Sequence, residues 1–324
     1  MARLTIDPNV LGGTLPDDVD RDLRGLADAL DGAVPPKVVD RNLLLATWNI
    51  RRLGSLTPRW HAAPDDTPKR DWTAAATLAE VIARFDVVAV QEVCGNLRAL
   101  ETILALLGRD WGYLMTDVNA GDAGNGERMA FVYDRRRVRL SGLAAELVVP
   151  TDTWRSIVPG GHRDQFARAP YAVSFAVRGV RFVLVTLHIN YGTNPRAERL
   201  DELRATAEWL SAWSSRGHGQ GDNVILLGDF NIDRHGDPLW NAFTSTGLTV
   251  PDALHAVPRS VFASSAHALD KYYDQIAWFG RSEPLVPRSA GSFDFMPHVY
   301  GSHAMTRLAL SHRVSDHYPL WVEL

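Results

Sequence analysis

The sequence predicts an α/β protein made of two packed β-sheets with helices outside, and three observations carry that expectation. From Arg41 onward, short β-rich apolar runs alternate with amphipathic helical stripes. Several of these runs are apolar throughout, so their strands must be covered on both faces. Hydrophobic residues fill 46% of the 324 positions, which supports a sizeable core. No repeat of fixed period divides the chain. One main domain over 41–324 is expected, preceded by an N-terminal helical extension over 1–40.

Each element has a local reason. Val19, Leu23, Leu26 and Leu30 fall on one helical stripe that Gly32 and Pro35-Pro36 bring to a stop. Strands are expected at 43–48, 87–91, 129–133, 171–177, 182–188, 224–227, 273–279 and 318–322. Asp71 opens a helix over 72–84, and a similar helix covers 97–107. Asn194-Pro195 reads as a cap and a first-turn proline ahead of the stripe Leu200, Leu203, Ala207 and Leu210. Segments 118–127, 150–168, 214–222 and 281–315 are rich in Gly, Pro, Ser, Asp and Arg and read as loops.

Composition removes several function classes. Lys and Arg total 34 against 38 Asp and Glu, a formal charge of −4, so there is no global basic field and any nucleic-acid contact must be local. The lone Cys94 leaves no intramolecular disulfide framework and no four-cysteine zinc site. The longest apolar runs fall far short of the roughly 20 residues that cross a bilayer, so no membrane partner is expected. The N-terminus lacks the pattern of an export signal, which predicts a cytoplasmic location. A monomer is expected.

The polar residues at the ends of the apolar runs point to chemistry. Asn49, Glu92, His188 and Asp229 each follow such a run, Asp274 opens another, and Ser315-Asp316-His317 precedes the last. Singly, each has an ordinary reading as a turn, a cap or a satisfied core histidine. Together they form a rim of carboxylates that burial would penalise unless histidines, arginines or a cation compensate. Oxygen donors without thiolates suit Mg²⁺, with Mn²⁺ or Ca²⁺ as alternatives, better than zinc or copper.

The order of motifs resembles the endonuclease/exonuclease/phosphatase superfamily, and within it is most similar to the deoxyribonuclease I branch. The matching runs are Thr-Trp-Asn49-Ile-Arg51, Gln91-Glu92-Val93, Glu127-Arg128-Met-Ala-Phe-Val-Tyr, Arg168-Ala-Pro-Tyr, Leu187-His188, Gly228-Asp229-Phe230-Asn231, Tyr273-Asp274-Gln-Ile and Ser315-Asp316-His317-Tyr-Pro. The resemblance implies a four-layered α/β sandwich that hydrolyses phosphate esters with a divalent cation at one edge of its two mixed sheets. It implies metal-binding positions at Asn49, Glu92, Asp229 and Asp316 and a scissile-phosphate contact at Asn231. It further implies catalytic histidines at His188, oriented by Glu127, and at His317, partnered by Asp274. Arg51, Arg168 and Tyr273 correspond to phosphate or substrate contacts.

These residue types suit in-line attack of water on a phosphodiester, which needs a base for the water, an acid for the leaving oxygen and charge on the developing phosphorane. His317 with Asp274 is expected to activate water and His188 with Glu127 to serve the leaving group; the reverse assignment stays open. The expected substrate is DNA or another phosphodiester. A phosphoesterase for small soluble or lipid esters and a non-catalytic binding domain are the alternatives. The tyrosine that the branch carries two residues before Glu127 is Asn125 here, and the disulfides of the secreted enzyme are absent. The remaining histidines, His61, His218, His267 and His303 among them, read as loop residues without a direct role, with His162 and His298 as candidate cleft flanks. Arg135-Arg136-Arg137 reads as a solvated turn, and Trp154 and Trp278 as core.

Overall fold

Alternation of side chains across each strand decides which layers can form, because an apolar run with both faces covered must lie between two packing partners. The structure is a computed structural model that describes residues 4–7, 10–118, 126–191, 195–215, 223–262, 271–279 and 286–324. Asn125, the Asn194 cap, His218 and His267 lie outside the described residues. In chain order the elements are α1 (Asp17–Ala33), β1 (Leu44–Leu53), α2 (Trp72–Ile82), β2 (Val87–Cys94), α3 (Arg98–Leu107), β3 (Trp111–Met115), β4 (Glu127–Asp134) and β5 (Arg139–Glu146). They continue with α4 (Thr151–Ile157), β6 (Tyr171–Val177), β7 (Val180–His188), α5 (Pro195–Ser215), β8 (Asn223–Asp229) and α6 (Pro238–Thr244). The chain closes with β9 (Leu248–Thr249), β10 (Asp274–Phe279), β11 (Ser289–Ser292), α7 (Arg307–Ser311) and β12 (Leu320–Glu323).

Two six-stranded mixed sheets result, ordered β11-β12-β1-β2-β4-β3 and β5-β6-β7-β8-β10-β9. Each has one parallel pair near its centre, β1 with β2 and β7 with β8. Leu45, Val87, Ala89 and Phe131 of the first sheet point inward and pack with Leu184, Leu226 and Ile276 of the second. Their neighbours Leu44, Ala46, Val88 and Val132 point outward, against the stripes of α1, α2 and α3. Leu203 and Leu210 of α5 join the core of the second sheet, completing four layers, helix, sheet, sheet, helix.

Val19, Leu23, Leu26 and Leu30 are buried, so the stripe of α1 packs as its spacing predicted. Asp71 caps α2 through its carboxylate, which accepts from Ala74 N at 3.0 Å, while Tyr300 and Ala62 donate to the same side chain. Arg137 is pinned to Asp86 at 2.9 Å and Arg136 to Asp134 at 2.8 Å, so the basic run is a turn that fastens strand ends.

Several expectations need correction. The segment 150–168 contains α4, anchored by the buried Trp154, and 281–315 contains β11 and α7. β3, β5 and β11 were not foreseen, because β5 is largely exposed along an edge and β11 is Ser-Ala-Gly-Ser, with no apolar period to reveal it. β1 and β2 also run beyond Asn49 and Glu92, to Leu53 and Cys94. Those two residues therefore sit at irregularities inside strands instead of at their ends, where the β1–β2 register shifts between Asn49 and Leu53.

Candidate active site

Strand register assembles the second-sheet half of the site. His188 pairs across with Asp229 on the parallel β7–β8 ladder, and Asp229 pairs with Asp274 on the antiparallel β8–β10 ladder. Three polar side chains therefore stand at one level on three adjacent strands. Gly228 permits this close approach: its φ is +154° and a Cβ there would collide with the Leu187 carbonyl.

The first sheet supplies the other half. Asn49 lies opposite Gln91, one residue from Glu92, and its amide donates at 3.0 Å both to Glu92 Oε1 and across the seam to Asp229 Oδ2. Glu92 Oε2 accepts from Arg52 N at 2.9 Å. Beneath them Gln91 donates to Thr186 Oγ1 of the opposite sheet at 2.8 Å and accepts from Thr47, a buried polar tie between the layers. Glu92 holds a left-handed conformation at φ +62°, and Asn231 at φ +50°. Non-glycine residues rarely occupy that region unless their surroundings hold them there.

Two histidines converge on Asp229. His188 Nε2 lies 3.6 Å and His317 Nε2 3.9 Å from the same Oδ2. Each ring is held from behind by a buried carboxylate: His188 Nδ1 is 3.0 Å from Glu127 Oε2, and His317 Nδ1 is 2.7 Å from Asp274 Oδ2. Burial alone would raise Asp229, but the adjacent His317 and His188 hold its carboxyl below the usual range. Burial likewise opposes a charge on His317, yet Asp274 outweighs it and the imidazole is pushed up to about 10. Burial pushes the Asp274 carboxyl up to about 6. The proton of this pair resides on the imidazole at neutral pH.

The remaining candidates occupy different positions. Asn231 N donates to Asp229 Oδ1 at 2.9 Å and its amide to Ile189 O at 2.7 Å, which fixes the turn after β8. Tyr273 packs its ring 5.8 Å from that of His317. Asp316 is half-buried and 3.5 Å from Arg51, whose guanidinium also donates to Ser311 Oγ. Arg168 is buried behind the site, 2.9 Å from Glu127 and donating to the His188 carbonyl, so it steadies the carboxylate–imidazole pair from inside the protein. His162 pairs with Asp201 and His298 stacks on Phe293.

The donor set fits a hard divalent cation. Asn49 Oδ1 is buried and has no hydrogen-bond partner among the described residues, although its amide nitrogen is doubly engaged. An oxygen so placed beside the Glu92 and Asp229 carboxylates calls for a positive partner. Ligand atoms of Glu92, Glu127 and His188 also lie within 4.8 Å of one another.

Reasoning from sequence missed the supporting residues. Ser315 Oγ donates to the Asn49 carbonyl at 2.6 Å and accepts from His317 N at 3.0 Å, tying the last motif to β1. A cavity of about 550 Å³ opens beside Arg51 and is lined by Arg52, Lys69, Arg70 and His312. Arg70 is buried with its guanidinium given to the carbonyls of Arg51, Arg52, Arg313 and Val314. The cations come from two separated segments, and linear sequence offered no cue to their meeting.

Comparison with known proteins places this geometry in a wider set. The profile of the Endonuclease/Exonuclease/phosphatase family matches residues 46–317. A Deoxyribonuclease of Thioalkalivibrio sp. (strain K90mix) is 28% identical over 300 residues, covering 89% of this chain and 72% of that protein. Deoxyribonuclease-1 of Bos taurus is 25% identical over 312 residues, 93% of this chain and 98% of that one. Among solved structures, a mannosyl-6-phosphatase of Bacteroides thetaiotaomicron superimposes with a TM-score of 0.56 at 19% identity, over 86% of this chain and 98% of that chain, a likeness of fold.

Proposed function

The chain belongs to the Endonuclease/Exonuclease/phosphatase family and is a hydrolytic phosphoesterase, and from that premise we propose that it is a cation-dependent phosphodiesterase that cuts DNA. The observation that carries this reading is the pair of carboxylate-backed imidazoles whose Nε2 atoms both lie within 4 Å of Asp229 Oδ2. Hydrolysis of a diester forms a bond from the water oxygen to phosphorus and breaks the bond to one ester oxygen. One proton must leave the water and another must reach the departing oxygen. Two separately oriented imidazoles meet both needs.

In this reading Asp274 and Glu127 hold each ring in one orientation through Nδ1, leaving Nε2 for the substrate. His317, whose proton Asp274 stabilises, protonates the leaving oxygen, and His188 takes the proton of the attacking water. Asn49, Glu92, Asp229 and Asp316 are the residues that would hold Mg²⁺, with Mn²⁺ or Ca²⁺ as substitutes. Bound there, the cation would neutralise charge on the phosphate oxygens. In this reading Asn231, Arg51 and Tyr273 contact the phosphate and its neighbouring groups. The cationic cavity beside Arg51 supports a polyanionic substrate that extends past the cleaved bond.

Purified protein with supercoiled plasmid and Mg²⁺ is expected to nick, and EDTA to abolish nicking. His188→Ala and His317→Ala are each expected to lose at least about 10²-fold in kcat. Near wild-type nicking by both variants would sink the two-histidine reading. A diester with an activated aryl leaving group separates the roles, because it needs no acid. His317→Ala should recover on it and His188→Ala should not; the opposite pattern reverses the assignment. Turnover of aryl diesters without any cut in DNA would point to a small-ester enzyme.

A further inference from the structure

Two histidines without an assigned role, His61 and His303, meet the carboxylate of Asp18 outside every motif above. Asp18 lies in the first turn of α1, His61 between β1 and α2, and His303 in the turn ahead of α7. His61 Nε2 is 3.2 Å and His303 Nε2 3.8 Å from the same Asp18 Oδ2, and one donor atom from each of the three lies within 4.8 Å of the others. The two imidazoles meet edge-on at 4.7 Å. Side-chain exposures of 27% for Asp18, 32% for His61 and 37% for His303 leave the cluster open to solvent.

We propose that Asp18, His61 and His303 form a second metal site, for a borderline transition ion of the zinc type, that fastens α1 to the loops before α2 and α7. Two imidazole nitrogens and one carboxylate oxygen are a three-ligand zinc set with a fourth position for water, and they differ in kind from the oxygen-rich set around Asn49. Bonds of about 2.0–2.2 Å at tetrahedral angles leave donor atoms roughly 3.3 Å apart, against 3.2 and 3.8 Å from Asp18 Oδ2 to the two imidazoles here, so small side-chain shifts close the set. Two Nε2 atoms aimed at one carboxylate oxygen suit a shared cation.

The backbone around the cluster is already tied. Ser302 Oγ donates to Asp18 Oδ2 at 2.9 Å, giving that carboxylate an outer partner. Gly301 N donates to Asp22 Oδ2 at 2.8 Å, and His303 N to the Tyr300 carbonyl at 2.9 Å. The turn that carries His303 is thus hydrogen-bonded to α1 without any ion, so binding orders little more than three side chains.

The test uses the full chain, stripped with EDTA, dialysed and titrated with Zn²⁺ alone. Bound zinc is measured after desalting, and the midpoint of thermal unfolding is followed alongside. Because His188 and its neighbouring carboxylates can also take zinc, wild type is compared with His61→Ala, His303→Ala and the near-isosteric Asp18→Asn. The expected result is one zinc equivalent fewer in each variant and loss of part of the zinc-induced rise in Tm, with Mg²⁺-supported plasmid nicking within about twofold of wild type. Equal zinc content and an equal Tm rise in wild type and Asp18→Asn would overturn the proposal, as would wild type that binds no zinc. If the alanine variants misfold, Asp18→Asn and the visible spectrum of the Co²⁺-loaded protein still decide the matter.

Discussion

Glu92 combines a left-handed backbone with a carboxylate aimed at Asn49 and Arg52 N. An L-residue pays roughly 1–2 kcal/mol for that conformation, and a carboxylate packed near Asp229 and Glu127 adds repulsion. Glu92→Gly is therefore expected to abolish nicking while raising stability by about 1 kcal/mol, measured by urea unfolding. A variant that is both inactive and destabilised would mean the carboxylate holds the bulge together. Residue types were legible at this scale, since an acid or histidine after an apolar run stands out in the text of the chain. Backbone conformation was not, because nothing adjacent to Glu92 resembles a turn. Nor could sequence show that Arg168 faces inward, since a guanidinium reads the same whether it meets a phosphate or Glu127.

Among the elements, the long apolar strands and amphipathic helices were readable, because two buried faces and a helical stripe each leave a periodic trace. The edge strands β3, β5 and β11 and the short α4, α6 and α7 left none, being held by neighbours and by single anchors such as Trp154. Ladder register was equally hidden, although it alone places His188, Asp229 and Asp274 side by side. Gln91 tests how far the two sheets depend on their polar tie. Gln91→Leu keeps the volume but leaves the Thr186 and Thr47 hydroxyls without their partner, which should cost about 1–3 kcal/mol in chemical denaturation. A change below measurement error would show that the tie contributes orientation without stability. Gly228→Ala should be more disruptive, since the added methyl meets backbone that cannot turn aside. The expected outcome is a lower Tm together with a fall in kcat.

For the molecule as a whole, a net charge of −4 coexists with a cationic cavity beside Arg51. Attraction for a polyanion is therefore local. On the inactive His317→Ala background, the log–log salt slope of DNA affinity should be about three or less, and Lys69→Ala should flatten it by about one. An unchanged slope would place the strand elsewhere. No helix among the described residues is long and apolar enough to cross a membrane. Asn49, Glu92 and Glu127 hang from one sheet and His188, Asp229 and Asp274 from the other, so the gap between the leaves acts as a calliper on the chemistry. Any slackening of the interior, even at Phe175 far along the sandwich, is then felt first as mistuned turnover, and warming should silence the enzyme before it melts.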